Sequence, residues 1–141
     1  MSKLLFCLLF FISVDVASLT ATQYTFDKNE DGKPDQWYDY EDGKVITEQL
    51  DTNFDGKVDY KAEFDRTGRK KLEEFDMNFD GKMDDIYHYD EGMLITEELD
   101  TNFDGKIDIR IHLVEGNRVS KYEQDTDFDG VMDKVKEFGK K

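Results

Sequence analysis

Cysteine, proline and tryptophan are nearly missing from this chain of 141 residues, which contains one of each. A single cysteine, Cys7, excludes an intramolecular disulfide, so the stability of the chain must have another source. Positive charge is also scarce, because 19 Lys and Arg stand against 34 Asp and Glu and leave a net charge of -15. Such acidity argues against nucleic acid and anionic membranes as partners, since their phosphates would be repelled, and favours bound cations.

Long hydrophobic runs are missing as well. The apolar run over residues 4–14 follows Lys3 and precedes the small residues Ala17, Ser18 and Ala21. It is shorter than the roughly 20 residues that span a bilayer, and its flanks are typical of a secretory signal peptide rather than of a buried core helix. The sequence therefore predicts a signal peptide over residues 1–21, a single domain over residues 22–141, no membrane span, and a secreted, periplasmic or cell-surface location.

One acidic segment recurs along the rest of the chain. DTNFDGK begins at residue 51 and again at residue 100, DMNFDGK begins at 76, DTDFDGV at 125 and DKNEDGK at 27. The starts are spaced by 24, 25, 24 and 25 residues. A constant period of this length indicates a structural repeat.

Between the acidic segments lie short runs with strand character. Residues 58–64 and 107–113 alternate apolar and polar side chains, and glycine-containing turns such as YEDGK at residue 40 separate such runs. The pattern predicts an all-β fold, an antiparallel β-meander of about nine short strands built from hairpin repeats of 24–25 residues. Acidic loops would lie at one edge and glycine turns at the other. The sequence does not decide whether the sheet is open, curls toward a barrel or stacks as a solenoid.

The sequence pattern shows clearly for some strands, but not for others, which side chains lie on which face of the sheet. Position 14 of each repeat is large and apolar, which predicts a ladder of side chains on one face of the sheet: Tyr40, Phe64, Tyr89, Leu113 and Phe138. In the return strands, however, simple alternation places Val45 on the face opposite Ile46 and Leu50. From the sequence, both faces are therefore expected to be partly buried.

The acidic segments share the pattern D-x-[N/D]-x-D-G-x-x-D. Calcium takes 6–8 oxygen ligands, and side chains at positions 1, 3 and 5 with a backbone carbonyl at position 7 wrap one ion around a glycine at position 6. With a closing carboxylate at position 9, five calcium ions would change the formal charge from -15 to about -5. The predicted ligands are Asp27, Asn29, Asp31, Lys33 and Asp35; Asp51, Asn53, Asp55, Lys57 and Asp59; Asp76, Asn78, Asp80, Lys82 and Asp84; Asp100, Asn102, Asp104, Lys106 and Asp108; and Asp125, Asp127, Asp129, Val131 and Asp133.

These segments resemble the Asp-rich calcium loops of thrombospondin type 3 segments, integrin α-propeller hairpins and dockerins. An EF-hand proper has a glutamate at position 12 and flanking helices, whereas position 12 here is Tyr38, Ala62, Tyr87, Ile111 and Lys136. The short loop between strands is most similar to the integrin type, and this resemblance implies one calcium ion at each hairpin tip. It covers residues 27–138 as loops and implies no partner protein.

These residues also allow other interpretations. Asp-Gly segments also form ordinary hairpin turns without an ion. His88 and His112 fall two strands apart, about 9–10 Å, which is too far for one zinc ion. Trp37 and its neighbouring tyrosines match either packing or a sugar platform. The phenylalanine at loop position 4 is expected to pack beneath each loop, and Thr101→Ala, a change at the non-ligand position 2, is expected to have little effect on stability.

We therefore expect an exported, non-enzymatic calcium-binding repeat protein, in which calcium orders the loops of a structural, binding or adhesion module. A protein or glycan ligand is expected beside the calcium ions. The alternatives from other classes are a carbohydrate-binding protein, a metal-dependent hydrolytic protein and a calcium buffer. No pairing of a nucleophile with a base and no phosphate-binding loop is present in the sequence.

Overall fold

The computed structural model describes residues 22–139, which form one antiparallel sheet of ten strands in sequence order and contain no helix. This arrangement confirms the predicted all-β meander. The strands are β1 (Thr22–Phe26), β2 (Gln36–Glu41), β3 (Lys44–Leu50), β4 (Tyr60–Phe64), β5 (Lys70–Phe75), β6 (Asp85–Asp90), β7 (Met93–Leu99), β8 (Ile109–Val114), β9 (Arg118–Gln124) and β10 (Lys134–Glu137).

Nine strands follow the first acidic segment, and β1 precedes it. β1 reads TQYTF, an uncharged run of β-branched, aromatic and amide residues, and pairs along its whole length with β2. The predicted signal peptide, residues 1–21, lies outside the described residues. Within residues 22–139 there is no helix that would be long and apolar enough to cross a membrane.

The two kinds of connection lie at opposite edges of the sheet, as predicted. Each strand pairs with its sequence neighbours, so successive connections alternate between the two edges. One edge carries loops 1 to 5, residues 27–35, 51–59, 76–84, 100–108 and 125–133. The other, the turn edge, carries the glycine turns. Because β1 and β10 do not pair with each other, the sheet is open, which settles the choice that the sequence left between open sheet, barrel and solenoid.

Glycine is needed at the turn edge for a backbone reason. The β2–β3 hairpin closes through two residues, Asp42 and Gly43, with φ of 52° and 74°. Such paired positive φ values suit the right-handed twist of a hairpin, and an Asp or Asn followed by Gly accepts them most readily.

A bulge in each of the first four hairpins after β1 explains the irregular return strands. In β3 the partner of Asp39 is Thr47 but the partner of Tyr40 is Val45, so Ile46 is the extra residue. The same shift recurs in the β4–β5, β6–β7 and β8–β9 pairs. A bulge reverses the alternation of side chains beyond it. Val45 therefore shares a face with Tyr40 and Leu50, and the expected conflict between the faces disappears.

One face of the sheet, which we call the apolar face, carries most aromatic and aliphatic strand residues. Residues paired across antiparallel strands point to the same side, and the pairing places four of the predicted ladder residues there: Tyr40, Phe64, Tyr89 and Leu113. Phe138 follows the end of β10. Edge-to-face contacts connect neighbouring strands, with ring centroids 5.2 Å apart for Tyr24–Tyr40 and 5.8 Å for Phe75–Tyr87.

The opposite face is charged. Lys61 of β4 contacts Glu74 of β5 at 3.3 Å. His88 lies 3.0 Å from Glu98, and His112 lies 2.7 Å from Glu123. The two histidines thus contact different glutamates, and neither belongs to a possible metal group within residues 22–139.

The sheet is a single layer, and its burial is therefore unusual. Ala62 is the only fully apolar side chain in residues 22–139 that is buried. Nine acidic side chains are buried, of which eight belong to positions 1 and 9 of the acidic loops: Asp35, Asp51, Asp59, Asp76, Asp84, Asp100, Asp108 and Asp125. Buried carboxylates are costly unless they are hydrogen-bonded or bound to a cation, so the loops are where the fold has to be stabilised.

Candidate functional site

The five loops form a row along one edge. In each neighbouring pair, the backbone N–H at position 1 of the later loop donates to the carbonyl at position 9 of the earlier loop, at 2.7–2.8 Å. Asp76 N–H, for example, donates to the Asp59 carbonyl at 2.8 Å. The strand pairing therefore continues into the loops and fixes their spacing at two strands, about 9–10 Å.

The carboxylate at position 1 organises the turn of its own loop. In loop 2, Asp51 Oδ2 accepts the Gly56 N–H at 2.7 Å and Asp51 Oδ1 accepts the Asp55 N–H at 3.2 Å. All five loops repeat the bond from the glycine amide, at 2.6–2.8 Å. Gly56 has φ of 89°, which side chains rarely adopt. The glycine at position 6 is thus required for the amide to reach the carboxylate.

Positions 3 and 5 continue this pattern. Asn53 Oδ1 accepts the Asp55 N–H at 2.9 Å, and Asp55 Oδ1 accepts the Lys57 N–H at 2.9 Å. The equivalent bond from the position-7 amide is present in every loop, at 2.8–2.9 Å. Side-chain oxygens from positions 1, 3 and 5 are therefore gathered on the inside of one turn.

The carboxylate at position 9 closes the loop with one oxygen and leaves the other free. Asp59 Oδ2 accepts the Thr52 N–H at 2.6 Å, the Thr52 hydroxyl at 2.7 Å and the Asn53 N–H at 3.1 Å. Asp59 Oδ1 is buried and accepts no hydrogen bond, and the same holds for Asp108 Oδ1 in loop 4. A buried carboxylate oxygen with no partner costs free energy, and a bound cation would offset this cost. Asp85 Oδ1, on strand β6 outside the loops, is also buried without a hydrogen-bond partner.

The residues fit a divalent cation. One oxygen each from Asp51, Asp55 and Asp59 lie within 4.8 Å of one another, as do oxygens from Asp125, Asp127 and Asp133. Oxygens so close together, supplemented by amide oxygens at position 3 and carbonyls of the turn, match the all-oxygen ligand sets of calcium. Within residues 22–139, no histidine or cysteine takes part in such a group.

The electrostatics of the loops also favour a cation. Burial, and then the nearby Asp76 and Asp80 carboxylates, raise the pKa of Asp84, although the Met77 and Asn78 amides partly oppose this. In loop 5 the neighbouring Asp129 carboxylate raises the pKa of Asp127. These carboxylates therefore repel one another, and a divalent cation among them would remove the repulsion.

Within residues 22–139, three carboxylates lie within 4.8 Å of one another only in loops 2 and 5, and the predicted carboxylates of loops 1, 3 and 4 do not. The burial of the predicted ligands also differs between the central loops and the two end loops. In loop 1, Asp27 is exposed while Asp35 is buried; in loop 5, Asp125 is buried while Asp133 is exposed. The outer strands β1 and β10 are exposed along their whole length. Each end loop therefore has one open side, whereas loops 2 to 4 are covered on both sides.

Two expectations about the loops were wrong. The side chain of Thr101 is not neutral, because its hydroxyl donates to Asp108 Oδ2 at 2.7 Å. Threonine at position 2 of three loops was the signal for this contact. The phenylalanines at position 4 do not pack beneath the loops, since they are 42–47% exposed: Phe54, Phe79, Phe103 and Phe128. Each of the four has a positive φ of 62–64°.

Comparison with known proteins gives a local match. A family model described as EF hand matches residues 97–110, the end of β7, loop 4 and the start of β8. No curated protein matches the chain. A crystal structure of accessory secretory protein 1, 2 and 3 in Streptococcus pneumoniae is similar at 18% identity and a TM-score of 0.47, over 66% of this chain and 18% of that one. The match to the EF-hand model and the aspartate groups of loops 2 and 5 support a β-hairpin repeat protein with calcium-loop-like segments.

Proposed function

We propose that this chain is an exported, non-enzymatic calcium-binding repeat protein, in which up to five ions order the loop edge of a small sheet that serves as a structural, binding or adhesion module. One observation carries the proposal. The buried Oδ1 atoms of Asp59 and Asp108 have no hydrogen-bond partner, and in loop 2 oxygens of Asp51 and Asp55 lie close to Asp59. When bound, calcium would supply the positive charge that these oxygens lack.

The non-enzymatic part of the proposal rests on how the carboxylates are used. Both oxygens of Asp51 accept amides of their own loop, and Asp55 and Asp59 accept further ones. These bonds define the loop backbone, and the pattern repeats around each glycine turn. Side chains fixed in this way are suited to holding an ion and the local chain, rather than to transferring protons to a substrate.

Export is proposed from the sequence of residues 1–21, through the apolar run and the small residues after it. N-terminal sequencing of the protein from its native cells is expected to give a start near residue 19 or 22. Recovery of an intact Met1, or of a lipid on Cys7, would contradict export by this route.

Calcium binding is tested directly by isothermal titration of the calcium-free protein. We expect heat from several sites, up to five per chain, with dissociation constants of about 10⁻⁴–10⁻³ M, as in extracellular calcium modules. The matched control is a variant in which the position-5 aspartates of loops 2 to 4 are changed to alanine: Asp55→Ala, Asp80→Ala and Asp104→Ala. Equal heats from both proteins would contradict calcium binding in loops 2 to 4, and the absence of heat from wild type would contradict it in all five loops.

A further inference from the structure

The lysine at position 7 joins two neighbouring loops. The backbone N–H of Lys57 donates to Asp55 in its own loop 2 at 2.9 Å, while its Nζ donates to the carbonyl of Asp80 in loop 3, also at 2.9 Å. Lys106 does the same between loops 4 and 5, with Nζ 3.2 Å from the Asp129 carbonyl. In each case the acceptor is the carbonyl at position 5 of the next loop.

The stems of these lysines also cover the glycine turn of the next loop. A Cβ placed on Gly81 would lie 3.0 Å from Lys57 Cδ, and a Cβ on Gly130 would lie 3.1 Å from Lys106 Cδ. Lys82 Nζ would lie 3.2 Å from a Cβ on Gly105. The lysine side chain therefore covers the glycine at three successive pairs of loops, and it also donates to the position-5 carbonyl at two of them, loops 2–3 and 4–5.

The first pair of loops lacks this contact. A Cβ on Gly56 would meet no atom within 4 Å other than its own chain neighbours. Lys33, the position-7 lysine of loop 1, therefore does not cover loop 2. The pair of loops 1 and 2 can therefore serve as an internal control, because it has the lysine, Lys33, but not the contact to the next loop.

The lysine contact fixes a peptide group that matters for the next site. The Asp80 carbonyl and the Gly81 N–H belong to the same planar peptide. Gly81 N–H donates to Asp76 Oδ2 at 2.6 Å, and Asp76 is a predicted ligand of loop 3. By holding the carbonyl, Lys57 also sets the direction of the amide that positions this ligand.

We propose that Lys57 and Lys106 are positioning residues that couple ion binding in one loop to ion binding in the next. This inference rests on the proposed calcium binding. The position-7 residue is predicted to give its carbonyl to the ion of its own loop, so an occupied loop restrains the lysine backbone and with it the contact to the following loop. Coupling runs through the pairs of loops 2–3 and 4–5, and is weak between loops 1 and 2.

The glycine amides offer one reporter per loop. In the full chain labelled with ¹⁵N-glycine, the amide signals of Gly56 and Gly81 are followed by NMR during a calcium titration. Asp55→Ala removes a predicted ligand from loop 2. The calcium midpoint at Gly81 is measured in four chains: wild type, Asp55→Ala, Lys57→Met and the double variant.

We expect Asp55→Ala to raise the calcium midpoint at Gly81 about fivefold, the equilibrium effect of losing one lysine–carbonyl hydrogen bond, and to raise it little in the Lys57→Met chain. The control pair is Asp31→Ala with and without Lys33→Met, read at Gly56, where all midpoints should agree. An equal effect of Asp55→Ala in both lysine backgrounds would overturn the inference. So would an equally large shift at Gly56 in the control pair, because charge or backbone strain common to all loops would then explain it.

A second measurement needs no calcium. In EGTA, Lys57→Met is expected to speed hydrogen exchange of the Gly81 amide, whereas Lys44→Met is not. Lys44 Nζ donates to the Arg66 carbonyl of the next hairpin at 2.6 Å, so it is a matched lysine–carbonyl contact at the turn edge. Equal exchange rates at Gly81 in all three chains would contradict the positioning role. If the glycine amide signals of wild type do not change during the calcium titration, the proposed calcium binding is wrong, and the proposed coupling is wrong with it.

Discussion

Asp108 offers the sharpest test of whether the loops need an ion. Its Oδ2 accepts the Thr101 N–H at 2.8 Å, the Thr101 hydroxyl at 2.7 Å and the Asn102 N–H at 3.2 Å, while its Oδ1 is buried without a partner. Asp108→Asn keeps the size of the side chain and one oxygen for these donors. It replaces the other oxygen by an NH₂ group, which cannot ligate a cation.

The expected effect of Asp108→Asn depends on calcium. Without calcium the change weakens charged hydrogen bonds but relieves a buried charge, so we expect the free energy of unfolding to change by less than about 1 kcal/mol. At about 10 mM calcium and dissociation constants of about 10⁻⁴–10⁻³ M, one site stabilises the fold by roughly 1.4–2.7 kcal/mol. Losing it should lower the Tm by about 5–15 °C for a domain of this size.

Scanning calorimetry in calcium and in EGTA checks this expectation. The control is Asp90→Asn, the same chemical change at an exposed residue at the end of β6, on the turn edge, and it should alter neither Tm. An equal drop of Tm for Asp108→Asn in both buffers would mean that Asp108 is only a hydrogen-bond acceptor. An unchanged wild-type Tm between the two buffers would refute the argument that the loops are ion sites.

Three further outcomes are expected. Thr101→Val removes the hydroxyl bond to Asp108 and should lower the free energy of unfolding by about 1 kcal/mol in calcium and in EGTA alike, as measured by urea titration. Burial, and then the neighbouring Asp85 carboxylate, raise the pKa of Glu97, so the charged form of Glu97 destabilises the fold; Glu97→Gln should raise the Tm at pH 7, and the gain should vanish below about pH 4, where the unfolded carboxyl is protonated. Loop 5 has a fourth carboxylate, from Asp127, and is expected to have the lowest calcium midpoint of the five loops when all are compared by glycine amide shifts.

The repeat, the all-β class and the placement of acidic loops and glycine turns at opposite edges follow from the sequence alone. Each depends on interactions between residues close in the chain, such as the positive φ of Gly56, the period-two alternation over residues 58–64 and the short turn at Gly43. The candidate ligands follow for the same reason, since nine consecutive residues contain a complete set of oxygens.

Features that depend on contacts between strands or between hairpins could be seen only in the tertiary structure. The bulge at Ile46 chooses the face of Val45 through pairing with β2, which simple alternation along β3 cannot reveal. The burial of Asp108 requires the neighbouring loop and strands around it, and the reach of Lys57 to the Asp80 carbonyl spans two repeats. A sequence pattern specifies which oxygens can meet within one loop, but whether water still reaches them depends on the neighbouring hairpins, because the burial of a side chain is set by residues distant in the chain.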